Sequence, residues 1–370
     1  MPLTWIEIDS QNLAHNIQQF KKIAPQSQIW PVIKSNAYGH GFQEIAGLLD
    51  QNQNIDGLMV VNLQEALKLK EISSKPIMVL SYFDREERSL QIALDEQISL
   101  PVYDLDTANY LNNFAKKTSK KFLVNIKIDT GTARLGFRVG EAVQAINYIK
   151  GKKYLTINSI FTHYADSEAE DQNFIHEQLD SFRKIINKFP LIKIHSACSA
   201  AAVGLPQTQM DLIRLGLALY GLWPSQSTSQ RGKNLKIDLK PVLAFKTKII
   251  QLKELKQGES VGYDRSYICP QDCRIAVLPV GYNEGYSRLL SNQAEVLIKG
   301  QRCPVRGNIC MNLTMVELPT SLNSDLGETV ILLGNDGQER ITAEELSSLS
   351  KTINYEVVTR INPLLPRVII

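Results

Sequence analysis

From Ile29 to about Gly221, short apolar runs alternate with amphipathic stretches, and this alternation constrains the fold more than any other feature of the chain. The runs fall at residues 29–33, 57–61, 76–80, 98–103, 122–128, 155–162, 192–196 and 210–214. Most are separated by segments with helical spacing, such as Leu63, Ala66, Leu67 and Leu69, or Ala142, Val143, Ile146 and Ile149. Eight strand–helix repeats in about 200 residues suit a closed (β/α)8 barrel of the TIM type better than an open doubly wound sheet.

The rhythm then changes. The segment from Trp223 through Pro-Ser-Gln-Ser-Thr-Ser-Gln-Arg to Gly232 is polar and aperiodic, and reads as an interdomain connection. Beyond it, residues 242–252, 274–280, 294–298, 313–318 and 329–333 are strand-like, with turns at Gln257-Gly258, Gly300-Gln301 and Asn335-Asp336-Gly337. Only 343–351 has helical spacing, so the second domain is mostly β. Residues 5–9 form a further strand able to pair with either domain. The expected division is a barrel over 10–230 and a β-rich domain over 231–370 that includes residues 1–9.

Forty-one basic and 38 acidic residues leave a net charge of +3 with no basic face, which disfavours nucleic acid as a partner. The N-terminal residues carry acids where a signal peptide needs an apolar core, and the longest uncharged apolar run, 215–223, is about half a membrane span. Five cysteines without a Cys-x-x-Cys framework read as thiols of a cytoplasmic protein.

Barrel enzymes place their chemistry where the C-terminal ends of the strands meet the loops. The residues at those positions are Lys34, Lys127 with Asp129 and Arg134, His163, His195 leading to Cys198 and Ser199, and Arg214 leading to Gly216. Singly, a lysine there snorkels to water and a histidine fills a core. Together they form a cation-rich site suited to an anionic cofactor. No histidine and carboxylate spacing suggests a metal, and neither a Walker A nor a Gly-x-Ser-x-Gly sequence is present. A desolvated lysine at a strand end is also the residue type that forms Schiff bases.

Seven motifs in order resemble those of the alanine racemase family of fold-type III pyridoxal-phosphate (PLP) enzymes. They are Val32-Ile-Lys34-Ser-Asn-Ala-Tyr38-Gly-His-Gly41; Lys127-Ile-Asp-Thr-Gly-Thr-Ala-Arg134-Leu-Gly-Phe137; Thr162-His163-Tyr164; Arg214-Leu-Gly216 with Tyr220-Gly221; Val261-Gly-Tyr263; Ile309-Cys-Met311; and Ile353-Asn-Tyr355-Glu356. The resemblance spans nearly the whole chain. It implies an isomerase that interconverts L- and D-alanine by a two-base mechanism and supplies D-alanine for peptidoglycan. Lys34 would carry PLP and serve one face of the substrate, and Tyr263 the other. His163 and Arg214 would tune Tyr263, with Arg214 opposite the pyridine nitrogen, where a donor-only group keeps that nitrogen unprotonated. The plain alternative for Arg214 is an ion pair with Asp211. Backbone N–H groups of Gly216 and Leu217, with the hydroxyls of Tyr38, Ser199 and Tyr355, would hold the phosphate. Ser199 can equally be a simple helix cap. Arg134 and the Met311 backbone would bind the substrate carboxylate. Lys127, carbamylated, would hold Arg134 in place. Tyr263, Tyr282, Met311 and Tyr355 would reach the partner's barrel in a homodimer.

Three positions depart from the family pattern: Cys198 stands for an asparagine, Asn308 for a basic residue and Asn312 for an aspartate. They bear on substrate range. The alternatives are therefore a serine or broad-specificity racemase, a fold-type III decarboxylase, whose Glu-Pro-Gly-Arg motif is missing, and a non-catalytic PLP carrier, which lacks a second domain.

Overall fold

The computed structural model describes residues 2–370 and divides into two compact bodies. One comprises residues 14–37 and 45–239, the other 2–13, 38–44 and 240–370.

The first body is a closed barrel. Its strands are Gln28–Pro31, Leu58–Asn62, Ile77–Tyr82, Leu100–Val102, Phe122–Asp129, Leu155–Phe161, Lys193–His195 and Leu212–Leu215, each inside one of the eight apolar runs or within two residues of it. Neighbours pair in parallel around the ring. The eighth strand registers on the first, Leu212 opposite Gln28, and single bridges from Val32 to Met59, Met78 to Ser99 and Cys198 to Arg214 close the remaining gaps. Helices such as Leu63–Lys70 and Val139–Lys150 turn Leu63, Ala66 and Leu69, or Ala142, Ala145, Ile146 and Ile149, inward. The helical period read from the sequence is thus their inner face, with Leu67 and Val143 half-buried at its edge.

The segment 223–232 is not a bare connection. Helix Gln226–Asn234 occupies most of it, capped by the Ser225 hydroxyl, which accepts from the Thr228 N–H. It lacks an apolar stripe because its inner face is made of small residues, Thr228 and Gly232. A Cβ on Gly232 would lie 2.0 Å from the Trp223 ring, so only glycine fits.

In the second body Thr4–Ile8 pairs antiparallel with Leu243–Lys248 and parallel with Arg367–Ile369. These belong to a seven-stranded sheet completed by Thr329–Asp336, Glu339–Ile341, Glu295–Ile298 and Gln301–Pro304. Gln251–Leu255, Cys273–Leu278 and Thr314–Leu318 form a separate three-stranded sheet. The strand-like stretch 242–252 therefore holds two strands: the Ile249 N–H bonds Glu328 O, just before a strand of the large sheet, while the Ile250 N–H bonds Val277 O in the small one. The hairpin turn centres on Lys299-Gly300, both at positive φ, which suits a type I′ turn. A second short helix, Asn354–Thr359, follows Ala343–Leu349.

Candidate active site

Lys34 lies three residues beyond the first barrel strand and begins an unusual turn. Ser35, Asn36, Ala37 and Tyr38 all have φ between 52° and 55°, a left-handed run that costs roughly 1–2 kcal/mol per non-glycine residue. Hydrogen bonds oppose that cost: Glu65, itself held by the Val61 N–H at 2.9 Å, accepts from the Ser35 N–H at 2.8 Å, and the Ala37 N–H donates to Ile33 O. Strained backbone of this kind clusters at active sites and ligand clamps. Burial, then Arg134, lowers the Lys34 ammonium pKa, against a smaller opposing effect of Glu65.

Arg134 sits on a loop organised by Asp129. One carboxylate oxygen accepts from the N–H groups of Gly131, Thr132 and Ala133, and the other from that of Arg134. Burial raises the Asp129 pKa, but these four bonds outweigh it and the net shift is downward. Gly136 closes the loop at φ +129, where a Cβ would lie 2.7 Å from the Asp129 nitrogen.

Arg214 is the structural centre of the site. It is 4% exposed, and its two terminal nitrogens make four hydrogen bonds: NH1 with His195 Nδ1 at 2.8 Å, and NH2 with Thr162 O, Ser196 O and His163 Nδ1 at 2.9, 2.8 and 3.3 Å. There is no ion pair with Asp211, whose carboxylate accepts instead from the Ile194 N–H. Guanidinium can only donate, so both imidazoles must accept at Nδ1 and carry their proton on Nε2. The direction propagates. His195 Nε2 donates to Ser159 Oγ at 3.1 Å, Ser159 to Asn125 Oδ1 at 2.8 Å, and Asn125 Nδ2 to Ser99 Oγ at 2.7 Å. His195 also stacks on Phe161 with centroids 4.8 Å apart. Burial, followed by Arg214, holds the His195 pKa far below its usual value, and burial with Arg214, Arg134, Lys127 and Lys34 brings that of His163 to about 3. Both rings are neutral at neutral pH.

Lys127, 5% exposed, lies 5.6 Å from the Phe161 ring centroid. Burial, Arg134 and Arg214 lower its ammonium pKa to about 8. Ser199 is not the cap of its helix, a position held by Cys198; its hydroxyl accepts from the Gly216 N–H at 3.0 Å. That N–H is thus already engaged, and the element after Gly216 is a four-residue 3-10 turn, Leu217–Tyr220, rather than an α-helix. Cys198 contacts Ser167 Oγ at 3.2 Å.

The remaining residues belong to the β-rich body. Tyr38 and Tyr355 have ring centroids 6.3 Å apart. Tyr263, Tyr282 and Met311 lie on loops braced against each other: Asn308 donates to Tyr263 O and to Asp264, Tyr282 N–H to Cys310 O, and Asn283 N–H to Met311 O. A Cβ on Gly281 would lie 2.2 Å from Cys310 O, so this close packing requires glycine. Asn312 donates to Glu284. Exposures of 70%, 44% and 56% for Tyr263, Tyr282 and Met311 leave a largely apolar cluster open to solvent.

Sequence reasoning missed the roles of His195, Ser159 and Asn125. The latter two are fully buried polar residues inside apolar runs, and that placement is the signal that could have revealed them.

The family model for the alanine racemase N-terminal domain matches residues 8–224, and that for the C-terminal domain matches 242–369. The chain belongs to the alanine racemase family. An alanine racemase of Methylacidiphilum infernorum is 38% identical over 363 residues, 98% of this chain and 91% of that protein. An alanine racemase structure from Clostridium difficile superposes with a TM-score of 0.93 at 32% identity, covering 100% and 96% of the two chains. A histidine racemase from Leuconostoc mesenteroides subsp. sake has a TM-score of 0.89 at 25% identity, covering 100% and 98%. Similarity to alanine racemases along nearly the whole chain supports alanine racemisation as the activity, which makes this protein an isomerase.

Proposed function

We propose that the chain racemises alanine with PLP held on Lys34, and that Lys34 and Tyr263 exchange protons with opposite faces of the substrate Cα. The observation that carries this reading is Arg214: a buried, donor-only group with four hydrogen bonds to the barrel, none of them through Nε. Nε is the donor left for a ring nitrogen. The site fits the cofactor in charge as well, since Lys34, Lys127, Arg134 and Arg214 share one electrostatic neighbourhood. When bound, PLP withdraws electrons from Cα and makes its hydrogen acidic.

The lowered pKa of Lys34 favours the neutral amine needed to bind the cofactor and to accept a proton. Tyr38, Ser199, Tyr355 and the backbone of Gly216 and Leu217 would hold the phosphate, for which the Gly216 N–H must exchange Ser199 for the ligand. His163, neutral and oriented by Arg214, would pack on the cofactor ring. Arg134 would orient the substrate carboxylate with the Met311 backbone, and a carbamate on Lys127 would give Arg134 an anionic partner. The exposed Tyr263, Tyr282 and Met311 cluster would be covered by a second copy, making a homodimer with shared sites. The setting is cytoplasmic, with D-alanine destined for peptidoglycan. No helix among the described residues is long and apolar enough to cross a membrane.

Incubation with PLP and a panel of L-amino acids, including serine and histidine, in deuterated water tests the reaction. D-alanine with deuterium at Cα is expected, whereas carbon dioxide release would overturn the reading in favour of a decarboxylase. Lys34→Ala should abolish the visible absorbance of the bound cofactor, and Tyr263→Phe should keep it while losing most turnover. Full turnover by monomers at high dilution would refute the shared site.

A further inference from the structure

Two of the five cysteines, Cys269 and Cys273, stand side by side in the β-rich body with their sulfurs 3.4 Å apart. Cys269 is 1% exposed and packs in an apolar cluster with Val261 and Ile275. Cys273 is half-buried and lines a surface cleft of about 390 Å³ beside Lys256 and Glu317. One sulfur is therefore open to small solutes and the other is shielded behind it. The other thiols contact oxygen atoms: Cys198 that of Ser167, Cys303 that of Gln301 and Cys310 that of Asn308.

The structure points to a use for this pair. We infer that Cys269 and Cys273 form a two-thiol modification site, which an oxidant of the peroxide class closes into a disulfide. Cys273, the more accessible of the two, acts first. Its thiolate displaces hydroxide from hydrogen peroxide, becoming a sulfenic acid, and the hydroxide leaves as water with the thiol's proton. Cys269 Sγ then attacks that sulfur; the S–S bond forms, the S–O bond breaks, and the departing hydroxide takes the Cys269 proton as a second water. The two thiols lose two electrons and the peroxide O–O bond receives them.

The sulfurs must close from 3.4 Å to about 2.0 Å. Both anchors are firm. Cys269 is tied into the hairpin, its N–H donating to Glu259 O and its carbonyl accepting from Gly258 N–H, while Cys273 is in register with Leu255 in the three-stranded sheet. Closure therefore pulls the foot of the hairpin that pairs Ser260–Val261 with Tyr267–Ile268 and has Tyr263 near its tip. Burial, then Cys269, pushes the Cys273 thiol up to about 12, so closure is slow and needs sustained oxidant rather than a brief pulse.

The test is hydrogen peroxide on the full-length holoenzyme, followed by alkylation under denaturing conditions and peptide mass mapping. Free thiols are expected to fall from five to three, with the Cys269 and Cys273 segment lighter by two hydrogens and dithiothreitol restoring all five. Five free thiols throughout, or oxidation of Cys273 without linkage to Cys269, would overturn the proposal. A consequence for activity rests on Tyr263 being catalytic: turnover should fall on the order of tenfold as the bond forms and recover with reductant. The double variant Cys269→Ser with Cys273→Ser should keep its turnover under the same treatment. Equal loss in that variant would assign inactivation to another thiol and overturn the consequence, as would full turnover of the disulfide form; the thiol count is read independently of both.

Discussion

Replacing Lys127 by methionine should stabilise the protein at neutral pH. The side chain is 5% exposed, and its ammonium is brought from 10.5 to about 8 by burial, Arg134 and Arg214, with Lys34 adding and Asp129 opposing. At 1.36 kcal/mol per pKa unit, holding the charge in the folded state costs about 3 kcal/mol. The unfolded chain keeps this proton up to the ordinary lysine value, so between about 8 and 10.5 it binds more protons than the folded chain, and stability rises with pH across that window. Below about 8 the penalty is present in full. Methionine conserves length and volume without the charge. In bicarbonate-free buffer at pH 7 the cofactor-free variant should therefore exceed wild type by ~3 kcal/mol, or about 1 M in urea midpoint. The gap should shrink towards zero at about pH 10.5. Trp30 and Trp223 lie in the barrel body and report its unfolding by fluorescence, with Trp5 reporting the other. A less stable variant, or a gap unchanged between the two pH values, would refute the reasoning. The same shift leaves about a tenth of Lys127 as neutral amine at pH 7, against roughly 0.03% for an ordinary lysine. Only the neutral amine adds to carbon dioxide. Bicarbonate should therefore raise wild-type stability and erase the variant's advantage, because a carbamate turns repulsion from Arg134 into attraction.

Ser159→Ala leaves the His195 Nε2 proton buried without its acceptor, and should cost about 1–3 kcal/mol; a change under about 0.5 kcal/mol in urea unfolding would contradict the directional chain from Arg214. His163, at about 3 when folded against 6.5 unfolded, contributes stability that is complete above 6.5 and is lost as pH falls towards about 3; its ring resonances should stay flat from pH 8 to 5, and an NMR inflection near 6.5 would count against this. Gly39→Ala should destabilise by more than ~2 kcal/mol, because Gly39 sits at φ +85 with its would-be Cβ 1.8 Å from Val358 O; wild-type stability of that variant would sink the claim.

The eight barrel strands were readable because a strand's apolar character is local: residues 122–128 and 155–162 announce themselves within their own windows. The same locality explains the failures. Helix Gln226–Asn234 buries small residues against Trp223 rather than an apolar stripe, so its pattern looks like a loop. The stretch 242–252 reads as one strand although the chain changes sheets at Ile249-Ile250, because neither glycine nor proline marks the crossing. Strand ends and motif spacing single out Lys34, Lys127, Arg134, His163 and Arg214, and the structure brings these five into one electrostatic neighbourhood.

What the chain alone determined is which residues alternate, where each strand stops, and therefore which side chains gather at one end of a barrel. Tertiary structure decided how they act on one another. The left-handed turn after Lys34, the donor-only direction running from Arg214 through His195 to Asn125, and the meeting of Cys269 with Cys273 depend on atoms placed by packing and desolvation. Those energies arise between segments distant in sequence or exposed to unequal solvent, and no local window records them.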